Sequence, residues 1–467
     1  MWRTEMQKDS LLIDKYRDKI LNGPIGRTLF WLGLPLMVVQ LVNVSYNVAD
    51  TYWLSRYSEV AYAAPRQIWP FFMIVSAFTH GLSTANTAII SQAIGAREYE
   101  YARRIISYFA STMLLTGFSL SLLFLALGPY VYKYLMTTPQ EIYGYTVEYS
   151  RVISLDLLLS SVYLSYSTVL QAIGDTRTPS RAGVLSSLLN IVLDPFFIFG
   201  VRAGDLVVIP SLGVAGAAWA TVVSRFVGVL VILRVITGKY PFMIVRPSLS
   251  IERSWLLKSI SIGAPVSLMM ASNSLAFIFQ NRLVNSFGAY VAAAAAIGFV
   301  LMDLADAALW GLTMAIATMV GQAIGAGLGR RARDVAKNSM LYIGASVFAG
   351  SMLILALRGH FISVFTSVPS IFNEADKFIT YLAPTLALFA VFFVGMSVGR
   401  GSGHTLYPTL VGVFRLWVIR ILVGYILAFK LAMGTTGLWL SMSLSNLFAG
   451  LLIVPWILRG GWTKRVT

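Results

Sequence analysis

No cysteine occurs in the 467 residues, and only three histidines do. The first absence excludes a disulfide framework, a thiolate metal site and a thiol nucleophile. The second leaves too few ligands for a histidine-rich metal centre, and the His-Glu-x-x-His pattern of a metalloprotease is missing. No Gly-x-Ser-x-Gly stands at a helix start with a partner histidine at matching depth, so an enzyme is not expected. Charge is scarce too: 12% of residues are charged, against about 25% in soluble domains. In its place stand 57% hydrophobic residues and a mean hydropathy of +0.73.

Apolar stretches of about 20 residues recur along the whole chain, which is the signature of transmembrane helices. The first 27 residues lack the short apolar core and cleavage site of a secretory signal. They read as a cytoplasmic, amphipathic lead-in ending at "LNGPIGR". The net charge of +16 is spread between hydrophobic segments rather than gathered in one groove. It therefore reads as a positive-inside bias with contacts to anionic membrane lipids, not as a nucleic-acid surface.

The pattern predicts an all-α polytopic protein with spans at 28–55, 59–94, 101–128, 140–173, 178–200, 212–236, 254–284, 289–324, 332–357, 373–399, 406–429 and 435–458. Pro35, Pro65, Pro70, Pro265 and Pro384 fall inside spans and mark expected kinks. Most Arg and Lys collect on one side: the first 27 residues, Arg97, Arg103, Arg104, Arg177, Arg181, the linker with Arg246, the Arg330–Lys337 segment, Arg400 and the tail. Both termini are expected in the cytoplasm of a plasma-membrane protein.

Two halves repeat at about 230 residues. "SQAIGAREYEYARR" from Ser91 answers "GQAIGAGLGRRARD" from Gly321. "GLP" at Gly33–Pro35 recurs as "GAP" at Gly263–Pro265, and "QAIGDTRTP" from Gln171 faces "RGSGHTLYP" from Arg400. Six spans per copy give both copies the same orientation. That predicts two six-helix lobes related by a pseudo-two-fold along the membrane normal, with a site between them. The expected division is a cytoplasmic segment 1–27, an N-lobe 28–236, a cytoplasmic linker 237–253, a C-lobe 254–458 and a tail 459–467. Gly95 and Gly325 end helices at the basic loops, where a left-handed glycine cap is expected.

Acids inside the spans carry the functional signal. Asp50 is the one charge between Leu29 and Ser55; Asn190 and Asp194 share a helix face at i, i+4. On the predicted topology these residues and Thr221 lie in the outer half of the first lobe, at depths agreeing within about two turns. A lone ionised Asp near mid-bilayer costs at least about 2.5–3.5 kcal/mol, so such an acid takes up a proton or binds a cation. Two carboxylates with Asn and Thr oxygens offer a hard, oxygen-only site for H⁺ or Na⁺; interhelical hydrogen bonding is the alternative. In the second half Gln280 replaces Asp50 and joins Asp303 and Asp306 as a candidate residue of a substrate cavity. Asp303 and Asp306 lie at i, i+3 and are expected to line an aqueous cavity, facing cationic substrate or a buried Arg; a structural pairing with Arg415 or Arg420 is the alternative. His80 reads as a proton relay or a neutral, hydrogen-bonded histidine.

Together "GLPLMVVQLVNVSYNVADTYWLS", "SQAIGARE", "QAIGDTRTP", "LLNIVLDPFFIFG" and "GVAGAAWATVVSR" resemble the multidrug and toxic compound extrusion (MATE) family, prokaryotic type. The resemblance implies a cation-coupled antiporter, acting as a monomer without a cofactor. It would export small amphipathic, often cationic compounds in exchange for H⁺ or Na⁺ by alternating access. It also implies that Asp50 is the first-helix carboxylate, that Pro35 bends that helix, and that Asn190, Asp194 and Thr221 complete the cation site. Some branches carry an acid in the seventh or tenth span; here Gln280 is neutral and no acid lies between Lys377 and Arg400. A flippase of lipid-linked sugars or another lipid precursor on the same two-lobe scaffold is the competing expectation.

Overall fold

Among the described residues, twelve helical segments are long and apolar enough to cross a membrane. The computed structural model describes all residues except 1, 59, 204–205, 242–247, 249 and 467. Residues 242–247 and 249 of the expected 237–253 linker, Arg246 among them, thus lie outside the described residues. Preceding the spans, α1 (Trp2–Asn22) is a separate helix. The first half follows as α2 (Ile25–Tyr57), α3 (Ala64–Gly95), α4 (Tyr99–Tyr130), α5 (Gln140–Ile173), α6 (Arg177–Phe199) and α7 (Gly213–Lys239). Between α6 and α7 a short antiparallel hairpin pairs β1 (Val201–Ala203) with β2 (Leu206–Ile209). Hydropathy does not reveal it.

The second half comprises α8 (Arg253–Asn285), α9 (Ala289–Gly325), α10 (Gly329–Ala356), the short α11 (Arg358–Ser363), α12 (Pro369–Leu382), α13 (Leu386–Ser402), α14 (Leu406–Phe414) and α15 (Thr435–Arg459). One apolar span runs from α12 into α13; another continues from α14 through π-helical stretches to Lys430.

The prolines act according to position. Pro35, Pro70 and Pro265 lie inside continuous helices. Pro384 sits in a 3₁₀ turn, Ala383–Thr385, which divides the tenth span. Pro65 departs from expectation. It occupies the first turn of α3, where no intrahelical bond needs its missing N–H, so it starts the helix rather than kinking it.

Side chains outside the core are themselves apolar: Leu115, Phe118 and Leu122 of α4 point outward, as a lipid-facing surface requires. The two halves meet through small residues. Gly81 on α3 and Gly263 on α8 approach so closely that a Cβ on Gly81 would lie 2.6 Å from the Gly263 carbonyl oxygen. On α9, a Cβ on Gly311 would lie 2.4 Å from the Met37 nitrogen of α2.

The basic end is sealed by a reciprocal lock. Gln92 of α3 donates to the Gly401 and Ser402 carbonyls of α13 at 3.3 and 3.1 Å. Gln322 of α9, its repeat counterpart, donates to the Ala172 and Ile173 carbonyls of α5 at 2.7 and 3.2 Å. Gly95 and Gly325 are not left-handed caps, contrary to the sequence-based expectation. The positive φ angles fall two residues later, on Arg97 (61°) and Gly327 (73°). Both glycines instead admit the opposite helix: a Cβ on Gly95 would sit 2.1 Å from the Gln322 carbonyl oxygen, and one on Gly325 1.9 Å from that of Gln92. Across the same end, α1 straps both halves. Arg17 donates to the Gly95 carbonyl at 2.9 Å, and Arg331 from α10 reaches the Ile20 carbonyl at 3.2 Å.

Candidate functional site

Two polar regions stand out. The first is inside the first half. Asp50, in the last two turns of α2, is 7% exposed, and Asp194 on α6 is fully buried. Helical spacing places Asn190 one turn from Asp194, and Tyr46 one turn from Asp50. The Asn190 amide donates to the Thr221 hydroxyl on α7 at 3.2 Å, and Thr221 in turn donates to the Ala217 carbonyl at 3.2 Å. The Tyr46 hydroxyl lies 3.5 Å from that of Thr221. Asp50 and Asp194 are near enough to interact electrostatically, and Tyr149 of α5 lies in the field of both. One carboxylate oxygen of Asp50, both of Asp194 and the Asn190 side-chain oxygen are buried without a hydrogen-bond partner.

Buried acceptors without donors are costly. These four oxygens can be satisfied together by a cation or by protons, and no other ligand chemistry suits an acceptor-only set so well. Among the described residues no three His, Cys, Asp or Glu side chains gather. The arrangement is therefore two carboxylates supplemented by neutral oxygens. The structure brings Asp50, Asn190, Asp194 and Thr221 into one region, with Tyr46 added. Sequence reasoning passed over Tyr46, although its i, i+4 spacing from Asp50 was visible.

Beside this region lies an ion pair that the sequence reading also missed. Arg225 of α7 donates to Asp156 of α5 at 3.1 Å, and Ser160 donates to the other carboxylate oxygen at 3.0 Å. Asp156 opens a run of α5 with no further charge up to Ile173, which is the signal that would have exposed it.

The second polar region lies on the pseudo-two-fold axis. A cavity of about 200 Å³ opens between the halves. Residues of the first half line one wall: Gln40, His80, Thr84, Thr87 and Gln171. Their repeat counterparts line the other: Met270, Trp310, Met314, Ala317 and Arg400. Arg400 was expected among the loop cations; instead it is 9% exposed within the last turn of α13. A cation at the end of an apolar span reads as a loop residue until the partner half covers it.

Gln280, Asp303 and Asp306 are not among the residues lining this cavity. Gln280 accepts from Arg420 at 3.5 Å, and Arg420 also donates to Ser445 and Asn446. Asp303 is exposed, whereas Asp306 is half-buried and interacts electrostatically with Arg415 and Arg420. The Arg415 guanidinium rests on the Phe389 and Phe392 rings at 5.1 and 4.8 Å.

Comparison with known proteins gives this geometry its family. A MatE family model matches residues 35–196 and again 265–426, two copies placed as the internal repeat requires. The chain is 27% identical to a probable multidrug resistance protein, NorM, of Thermotoga maritima, covering 97% of each. It is 24% identical to an FAD transporter of Shewanella oneidensis, covering 94% of this chain and 95% of that one. Its fold matches a crystal structure of the Vibrio cholerae MATE transporter VcmN with a TM-score of 0.85 at 21% identity, covering 93% and 96%. With both copies of the family model accounted for and twelve helices in two lobes, this chain belongs to the MatE family of membrane transporters.

Proposed function

We propose that this transporter is a multidrug antiporter driven by H⁺ or Na⁺, with Asp50, Asn190, Asp194 and Thr221 as its coupling site. The observation that carries the reading is the set of four buried, unpartnered oxygens on Asp50, Asn190 and Asp194. An exporter needs a site whose occupancy favours one of its two states, because a ligand shifts an equilibrium only through its differential affinity for the states. Neutralising two adjacent carboxylates is a large local change in charge, and among the described residues no other buried cluster in the first half offers one.

In this reading the basic end faces the cytoplasm, with both termini there, and the residues 28–236 and 254–458 move as two bodies. The cation enters from outside and neutralises Asp50 and Asp194. The first helix α2 then bends at Pro35, where the helix lacks one backbone hydrogen bond. The cavity between the halves shrinks and cargo is expelled. If net charge moves, the membrane potential contributes about 2.3 kcal/mol per charge per 100 mV.

Gradient-driven export from proteoliposomes, with pH and Na⁺ gradients imposed separately, tests this. Asp50→Asn and Asp194→Asn are each expected to abolish export under the driving gradient while the protein still folds and binds cargo. Export that survives both substitutions refutes the coupling site.

A further inference from the structure

The inter-lobe cavity carries a charge that the coupling site does not use. Arg400 is 9% exposed. Its Nε is buried without a partner. The guanidinium stacks over the Trp310 ring at 5.1 Å, and one terminal nitrogen points at the Met314 sulfur at 3.9 Å. A thioether is a weak acceptor, so this contact leaves the charge uncompensated. No Asp or Glu lines the cavity, and among the described residues no carboxylate forms an ion pair with Arg400. The carbonyl end of α13 is near, but a helix terminus presents only about half an elementary charge.

The fold does not demand this cation. At the repeat-related position the first half has Gln171, which lines the same cavity. The substitution of charge for neutrality occurs on one side of the axis only. The two walls also differ in kind. Hydroxyl and amide groups of Thr84, Thr87 and Gln171 face Met270, Met314 and the Trp310 indole. Such a cavity offers a planar apolar surface, hydrogen-bonding groups opposite it, and one forked donor with a full positive charge. Guanidinium forks match carboxylate and phosphate oxygens in a bidentate arrangement.

We propose that this cavity is a cargo site for planar aromatic compounds bearing an anionic group, with Arg400 binding the carboxylate or phosphate and Trp310 stacking beside it. The proposal rests on the export reading and narrows its cargo class. A pyrophosphate carrier lipid presents no planar ring to Trp310 and is a poor fit.

Two dyes sharing a xanthene ring separate the charge from the ring: anionic fluorescein and cationic rhodamine 6G. Fluorescence polarisation with the full chain in detergent is expected to show fluorescein binding. Arg400→Gln should weaken it tenfold or more while leaving rhodamine 6G binding unchanged or tighter. Arg400→Lys, which keeps the charge and loses the fork, should fall between the two and guards against a folding defect in the glutamine variant. Absence of fluorescein binding to the wild type, or equal binding by wild type and both variants, overturns the proposal. Transport separates the two readings. Rhodamine 6G export without fluorescein binding overturns the anion site and leaves export standing. Fluorescein binding with neither dye moved supports the site and overturns export.

Discussion

The reciprocal glutamine lock makes a quantitative prediction about which face of the transporter is open. Gln92 donates two rather long bonds, at 3.3 and 3.1 Å, and accepts the Val466 backbone N–H at 3.0 Å, whereas Gln322 donates one short and one long, at 2.7 and 3.2 Å. A net contribution of about 0.5–1.5 kcal/mol per bond, taken low for the long ones, gives about 2 kcal/mol for Gln92 and about 2 kcal/mol for Gln322. Replacing both with alanine should shift the equilibrium between a closed and an open basic end by about 4 kcal/mol, roughly 900-fold. Gly325→Ala attacks the same contact by volume, since its Cβ would lie 1.9 Å from the Gln92 carbonyl oxygen.

The natural lack of cysteine simplifies the assay. Glu100→Cys and Arg330→Cys place one exposed label on each half at the basic end. Spin-label distances measured in nanodiscs should gain a longer component in the double glutamine variant and a dominant one in Gly325→Ala. If both variants keep the wild-type distribution, neither the hydrogen bonds nor the close approach holds that end shut, and the lock has been misread.

Two further predictions concern charges outside the proposed coupling set. Arg225→Gln leaves Asp156 uncompensated near Asp50 and Tyr149. Removing one partner of a buried pair costs about 3–5 kcal/mol, which we reduce to about 1–3 kcal/mol because the Arg225 side chain is 31% exposed. Thermal unfolding should show that loss and its recovery on adding Asp156→Asn; an equally unstable double variant would refute an electrostatic origin. In the loop after α5, burial opposes ionisation of Asp175, but Lys239 at 2.6 Å, the Thr178 backbone N–H and the Tyr240 hydroxyl outweigh it and hold the carboxyl below its ordinary value. A depressed folded pKa stabilises above the unfolded value of about 3.9 and loses that contribution as pH falls through the folded one. The wild type should therefore melt higher than Asp175→Asn near neutrality, with the gap closing below about pH 4; a pH-independent gap would contradict this.

The spans were legible because lipid demands long apolar helices, and twelve such segments leave little freedom of assignment. The fourth expected span, 140–173, coincides with α5. The repeat was legible in short identical words, and the polar cluster of the first half in isolated acids at helical spacing. Most of what escaped depends on residues far apart in the sequence coming into contact. Gly95 looks like a cap until Gln322 is seen against it. Arg400 looks like a loop cation until α9 lays Trp310 beneath it. The hairpin 201–209 is too short for a periodic signal, and the Asp156–Arg225 pair joins two spans whose separate sequences name no partner.

The two halves are built alike, but the buried groups left without partners differ between them. Unpaired acceptors cluster in the first half near the C-terminal end of α2, whereas the unpaired guanidinium of Arg400 lies at the cavity between the halves. Pro35 lies on the same helix as Asp50. It is about 22 Å along α2 from Asp50, at about 1.5 Å per residue. It is also flanked by the tightest packing of α2 on α9, where Gly33 meets Leu312 and Met37 meets Gly311. A bend at Pro35 therefore cannot stay local, because close-packed backbones have no slack to absorb it. It must either shift α9 or break that contact, and α9 carries both Trp310 of the cavity and Gln322 of the lock. In the proposed mechanism, cation occupancy at one end of α2 thereby reaches the cargo cavity and the basic-end seal through a single helix pair. The physical warrant is the continuity of these contacts, not proximity of the sites to one another.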